Sequence, residues 1–182
     1  MVLTLFLAAL LVLSVDVFLT GTIVGFLQSK FSFKQLFKLQ LVLAIIVSIV
    51  LLFGIILGKI FMSLYTNLAV WYASTILFIL SLKLFYDGIR LHKLRRTINP
   101  LDSKGLLAIA TFLCLNAFFI GLSFGFLNIS NISTLYALLI LIGAVIFGYI
   151  SGFKLKKLIA IRVELYEAII FFIMAIFIII KL

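Results

Sequence analysis

A single cysteine, Cys114, leaves the chain with no intramolecular disulfide and no cysteine-rich metal site. A single histidine, His92, sits among basic residues and reads as solvated. There is no phosphate-binding glycine-rich loop, no HExxH pair and no Ser/His/Asp set able to converge, so the soluble-enzyme classes drop out. The scattered polar residues are also too few for an intramembrane enzyme. Acidic residues number 5 against 15 Lys and Arg, a net charge of +10. The bases cluster in short loops, so membrane orientation accounts for them better than nucleic acid does. No basic stretch precedes the first apolar run, which is too long for a signal-peptide core and carries Asp16; a cleavable signal peptide is not expected.

What the chain has instead is apolar length. Hydrophobic residues make up 66% of it and the mean hydropathy is +1.45, more than a water-soluble domain can hide. Apolar runs of about 20 residues recur, each long enough to cross about 30 Å of hydrocarbon. Six spans are expected: Val2 to Leu27, Leu39 to Gly58, Leu68 to Ile89, Gly105 to Leu127, Thr134 to Gly152 and Leu158 to Ile180. The longest loop, HKLRRTINPLDSK, holds the only proline, Pro100, and the densest charge. Trp71 and Tyr72 open the third span, where an interfacial aromatic belt would lie. Loops 1, 3 and 5 carry eleven Lys and Arg, while Lys59 and Lys181 are the two on the other side. By the positive-inside rule both termini lie outside the cytoplasm.

The chain also repeats itself. LSVDVFLTGTIVGFL from Leu13 to Leu27 returns a hundred residues later as LCLNAFFIGLSFGFL from Leu113 to Leu127. Gly21 and Gly25 align with Gly121 and Gly125, and Asp16 aligns with Asn116. In the second span of each half, Gly54 and Gly58 resemble Gly148 and Gly152, both spaced small-xxx-small. Three spans per repeat is an odd number, so the second half must be inverted. The expected architecture is all-α, two inverted three-helix repeats over 2–89 and 105–182, joined by a basic cytoplasmic loop at 90–104, in one transmembrane domain. Inverted repeats suit a transporter whose halves open alternately to either side.

An ionised Asp16 at mid-span costs roughly 2.5–3.5 kcal/mol on insertion scales, so it must face the bundle interior, a water cavity or a partner. It reads as a cation or proton site, with an interhelical hydrogen bond or ion pair as the alternative. Thr20 shares its face, one turn on. Asn116 takes the equivalent place with Ser123 on its face, and is either a neutral oxygen ligand or interhelical glue. One carboxylate and one carboxamide are hard ligands suited to Mg²⁺, Mn²⁺ or Ca²⁺. Lys83 and Asp87, four residues apart, either pair with Lys83 reaching for the interface or act directly. Glu164 and Glu167, near Arg162, form either a solvated, ion-paired helix start or a vestibule that attracts cations.

LSVDVF in span 1, YDGIR ending span 3 and ATFLCLNAFFIGLSFGFL in span 4 resemble the manganese efflux pump family, the MntP-like proteins of bacterial inner membranes, within the LysE-type exporter superfamily. The resemblance implies six spans, efflux of Mn²⁺ as transported substrate with no permanently bound cofactor, and a location in the cytoplasmic membrane. By position, Asp16 matches the family's span 1 aspartate, Asp87 an acidic position before glycine, and Glu164 a span 6 glutamate. Asn116 stands where the family usually has a second aspartate, and Val47 and Leu51 stand where it commonly has an acidic residue and a proline. These departures fit a divergent member, with the related sporulation membrane proteins as an alternative placement. The expected function is secondary export of manganese or a similar divalent cation. The alternatives are export of a small polar organic solute and a non-transporting membrane scaffold. The expected partners are the bilayer and the transported cation, not nucleic acid, and homo-oligomerisation is left open.

Overall fold

The computed structural model describes residues 1–27, 42–64, 68–90, 103–155 and 163–181. Six helices order these residues: α1 Val2–Leu27, α2 Val42–Leu64, α3 Ala69–Arg90, α4 Ser103–Phe126, α5 Asn131–Leu155 and α6 Val163–Lys181. The described residues contain no strand. The shortest helix has 19 residues, so at 1.5 Å per residue it spans about 28 Å, enough to cross the hydrocarbon. All six are long and apolar enough to do so. The second helix continues through Lys59 to Leu64 rather than stopping at Gly58, because an apolar run flanks the lysine on both sides. His92, Pro100, Arg162 and most of the basic loop residues lie outside the described residues.

Lipid offers hydrocarbon as good as any neighbouring helix, so these helices associate through close packing and hydrogen bonds. Their outer faces carry exposed Leu11, Ile49, Phe53, Leu139 and Phe147, the surface that lipid chains cover. Trp71 and Tyr72 are exposed at the start of α3, as a belt position requires. Between the halves, small residues set the pairing. Gly21 on α1 backs onto Val145 and Tyr149 of α5, and Gly148 and Gly152 of α5 back onto Phe18 and Thr22 of α1. Gly54 and Gly58 on α2 meet Gly121 and Gly125 on α4 in the same way. Residue numbers rise together across both seams, so each pair is parallel.

The third pair is built differently. Ser74 donates to the Ala175 carbonyl at 2.7 Å and Ser81 to the Ala168 carbonyl at 2.8 Å, so α3 and α6 run antiparallel. Exchanging α1 with α4, α2 with α5 and α3 with α6 maps this pairing onto itself. The equivalent helices α1 and α4 cross antiparallel, with Phe6 against Phe124 and Asp16 against Asn116. This arrangement is consistent with two inverted three-helix repeats.

The only described interhelical link, between α4 and α5, is closed by backbone chemistry. Asn128 takes a left-handed conformation with φ 53°. Its N–H donates to the Gly125 carbonyl at 3.0 Å, and the Ile129 N–H donates to Phe124 at 3.2 Å. That is a Schellman ending with asparagine at the left-handed position, and Ile129 is buried in the same cluster as Phe124.

Candidate functional site

Asp16 lies near the middle of α1 and Asn116 near the middle of α4, each 3% exposed. Asn116 Nδ2 donates to Asp16 Oδ2 at 3.2 Å, across 100 residues of sequence. Its other amide atom, Oδ1, accepts from Lys83 Nζ at 2.5 Å. A lysine ammonium can only donate and an ionised carboxylate can only accept, so the amide has one orientation that satisfies both. The same ammonium lies 3.4 Å from Asp87 Oδ2, one turn further along α3, and 5.9 Å from the Phe112 ring centre. Four side chains thus form a line, Asp16–Asn116–Lys83–Asp87, from mid-bilayer toward the end of α3 at Arg90. The ammonium offsets part of the cost of holding Asp16 ionised among hydrocarbon.

Sequence placed Asp16 and Asn116 at one depth and paired Lys83 with Asp87, and both pairs are found. It did not join them. Lys83 turns inward to α4 instead of only reaching for the interface. The available signal was its position seven residues inside the end of α3, deeper than an interfacial lysine needs to be.

Thr20 is buried, and its hydroxyl donates to the Asp16 carbonyl at 3.0 Å. Ser123 is buried too and donates to the Ala73 carbonyl at 2.9 Å. Each hydroxyl oxygen retains acceptor capacity. Ser123, however, lies about 10 Å beyond Asn116 along α4, in the other half of the bundle. There Phe6 and Phe124 pack edge to face at 5.1 Å, both fully buried.

Glu164 and Glu167 are buried on α6, which departs from a solvated helix start. The antiparallel register from Ser81 and Ala168 puts Glu167 at the depth of Lys83. Glu164 stands beside Gly88, where an added Cβ would sit 3.4 Å from the Glu164 Cβ and 2.8 Å from Leu165. Among the described residues no three His, Cys, Asp or Glu side chains gather as a metal-ligating group. The site is a carboxylate and a carboxamide whose oxygen an ammonium already holds.

The fold and this site define a multi-pass α-helical membrane protein with a charged, hydrogen-bonded centre. Residues 30–179 match the model of the Mntp family, described as "Putative manganese efflux pump". The chain therefore belongs to that family, whose description is of an efflux pump and not of an enzyme class. The matched range holds Lys83, Asp87, Asn116, Glu164 and Glu167 and leaves Asp16 outside. No curated protein and no solved structure matches the chain.

Proposed function

We propose that this protein is a secondary exporter of Mn²⁺ or a similar divalent cation across the cytoplasmic membrane, driven by the proton gradient or the membrane potential. The observation that carries the reading is the Asp16–Asn116 contact, a buried carboxylate and carboxamide brought together where equivalent helices of the two halves cross. Asp16 supplies the charge that binds the ion and Asn116 a neutral oxygen; such hard oxygens suit this cation class. Lys83 and Asp87 extend polar character toward the end of α3, and the packed Phe6 and Phe124 close the opposite half. With both termini outside the cytoplasm, the polar side faces the cytoplasm, from which an exporter takes its cargo. The test is manganese tolerance and cellular manganese in an efflux-deficient host. The parent lowers cellular manganese, and Asp16→Asn abolishes this at normal membrane levels. Export by Asp16→Asn equal to the parent makes Asp16 structural and removes the proposed site.

A second reading is export of a cationic organic solute. Its support is that the centre already holds a primary ammonium, that of Lys83, between an amide oxygen and a carboxylate. Unchanged cellular manganese together with an altered level of an organic amine would favour it.

A further inference from the structure

We infer that the Lys83 ammonium is the resident cation of the Asp16–Asn116 site: it neutralises Asp16 through Asn116 in the empty carrier and must leave before a transported cation can bind. The inference rests on the exporter reading and gives that site its selectivity. Three observations lead to it. The first is competition for one atom. Asn116 can offer a metal only its Oδ1, and Lys83 Nζ is 2.5 Å from that oxygen. The second is charge. The ammonium stands against the one oxygen that Asn116 can offer, so a divalent ion arriving at that oxygen meets a positive charge there until the ammonium withdraws. The third is a place to go. Asp87 lies 3.4 Å from the same Nζ, one turn nearer the end of α3. The Phe112 ring, 5.9 Å from the ammonium, offers its face as a further rest. A rotation of the flexible lysine stem moves the ammonium wholly onto Asp87, which it already touches, and uncovers Oδ1 with no proton transferred. The amide, no longer held by Lys83, then turns over to bring Oδ1 to the side of Asp16.

Lys83 is therefore a specificity-determining residue. A weakly bound cation does not displace it, and a strongly coordinating one does. The test uses the full-length chain in detergent and has two arms. In the first, with no metal, thermal unfolding is measured for Asp16→Asn, Lys83→Met and the double variant. Lys83→Met removes the ammonium that reaches Asp16 through Asn116 and lowers Tm by more than about 5 °C. The double variant, in which both charges are gone, recovers at least half of that loss, and Lys83→Arg stays near the parent. Additive losses in the double variant overturn the resident-cation role. In the second arm Mn²⁺ alone is titrated and free ion is followed by its paramagnetic resonance signal. Lys83→Met binds about tenfold more tightly than the parent or better. Binding equal to or weaker than the parent's means that Lys83 does not compete, and overturns the displacement step. Coupled stabilities with no Mn²⁺ bound by any variant discard the manganese reading and keep the resident cation. Additive stabilities with Mn²⁺ bound do the reverse.

Discussion

Gly58 on α2 and Gly125 on α4 meet with no side chain between them: a Cβ built on either would lie 2.8 Å from the other's Cα. The same seam brings Gly54 against the Phe118 carbonyl and Gly121 against that of Leu51, and its counterpart joins Gly148 and Gly152 to Phe18 and Thr22. Backbone in contact with backbone leaves nothing flexible to move aside. Two such seams fix α1 to α5 and α2 to α4, and the Phe6–Phe124 and Asp16–Asn116 contacts join α1 to α4.

A methyl group at these glycines is expected to be costly. Gly125→Ala and Gly152→Ala each lose about 1–3 kcal/mol of stability or more, since the neighbouring helix must shift as a whole. Gly143→Ala is the control: nothing lies within 4 Å of its added Cβ, and alanine favours helix. Thermal unfolding of the purified variants checks this. Equal Tm values for Gly125→Ala and Gly143→Ala would remove the seams as the element that sets the bundle.

Orientation is open to direct measurement. By the positive-inside rule, the eleven-to-two distribution of basic residues between the two sets of loops predicts that the ends of α3 and α5, at Arg90 and Leu155, face the cytoplasm. A reporter fused after Leu182 is therefore expected to work only if it functions outside the cytoplasm. Strong activity there from a reporter confined to the cytoplasm reverses the sidedness, and with it the direction from which cargo reaches Lys83 and Asp87.

Much of this arrangement is written in local sequence. The hundred-residue offset between Asp16 and Asn116 gave their shared depth, because an odd number of spans per repeat inverts the second copy. The spacing of Gly121 and Gly125 marked a close-packing face, since periodicity alone puts them together on a helix. Which seams would form was not legible. Paired glycines at this spacing occur on four helices, and only three-dimensional packing chooses α1 with α5 and α2 with α4. Lys83 shows the same limit. Spacing pairs it with Asp87, but whether their shared face looks to lipid or to α4 depends on how α3 is rotated against its neighbours. Glu164 and Glu167 read either as a solvated start beside Arg162 or as a vestibule that attracts cations. They are buried, which removes the solvated start, because α6 packs along α3 to its first turn, where Gly88 makes room.

Asn116→Asp restores the second carboxylate that the family resemblance leads one to expect, and the structure alters what that change should do. On the aligned positions alone, a second carboxylate beside Asp16 would tighten divalent binding. In the structure the new carboxylate would meet Lys83 Nζ where Asn116 Oδ1 now lies, and would face Asp16 where Nδ2 now donates. The ammonium is then held by an ion pair, so it blocks the new carboxylate more firmly than it blocked the amide oxygen. A modest gain in Mn²⁺ affinity is expected from Asn116→Asp, and a larger one when Lys83→Met is added. Without metal the double variant sets two carboxylates side by side, which share a proton or repel, so it should be the least stable of the set. It should also gain most from the ion. At a hundredfold excess over Kd a ligand specific for the folded state contributes about 2.7 kcal/mol, several degrees in Tm for a chain of this length. Thermal unfolding with and without Mn²⁺, read beside cellular manganese in the efflux-deficient host, orders the three proteins. If the single and double variants respond alike, Lys83 does not govern the site. If none of them lowers cellular manganese, the family's cargo does not transfer to this chain, and the organic-cation reading takes its place.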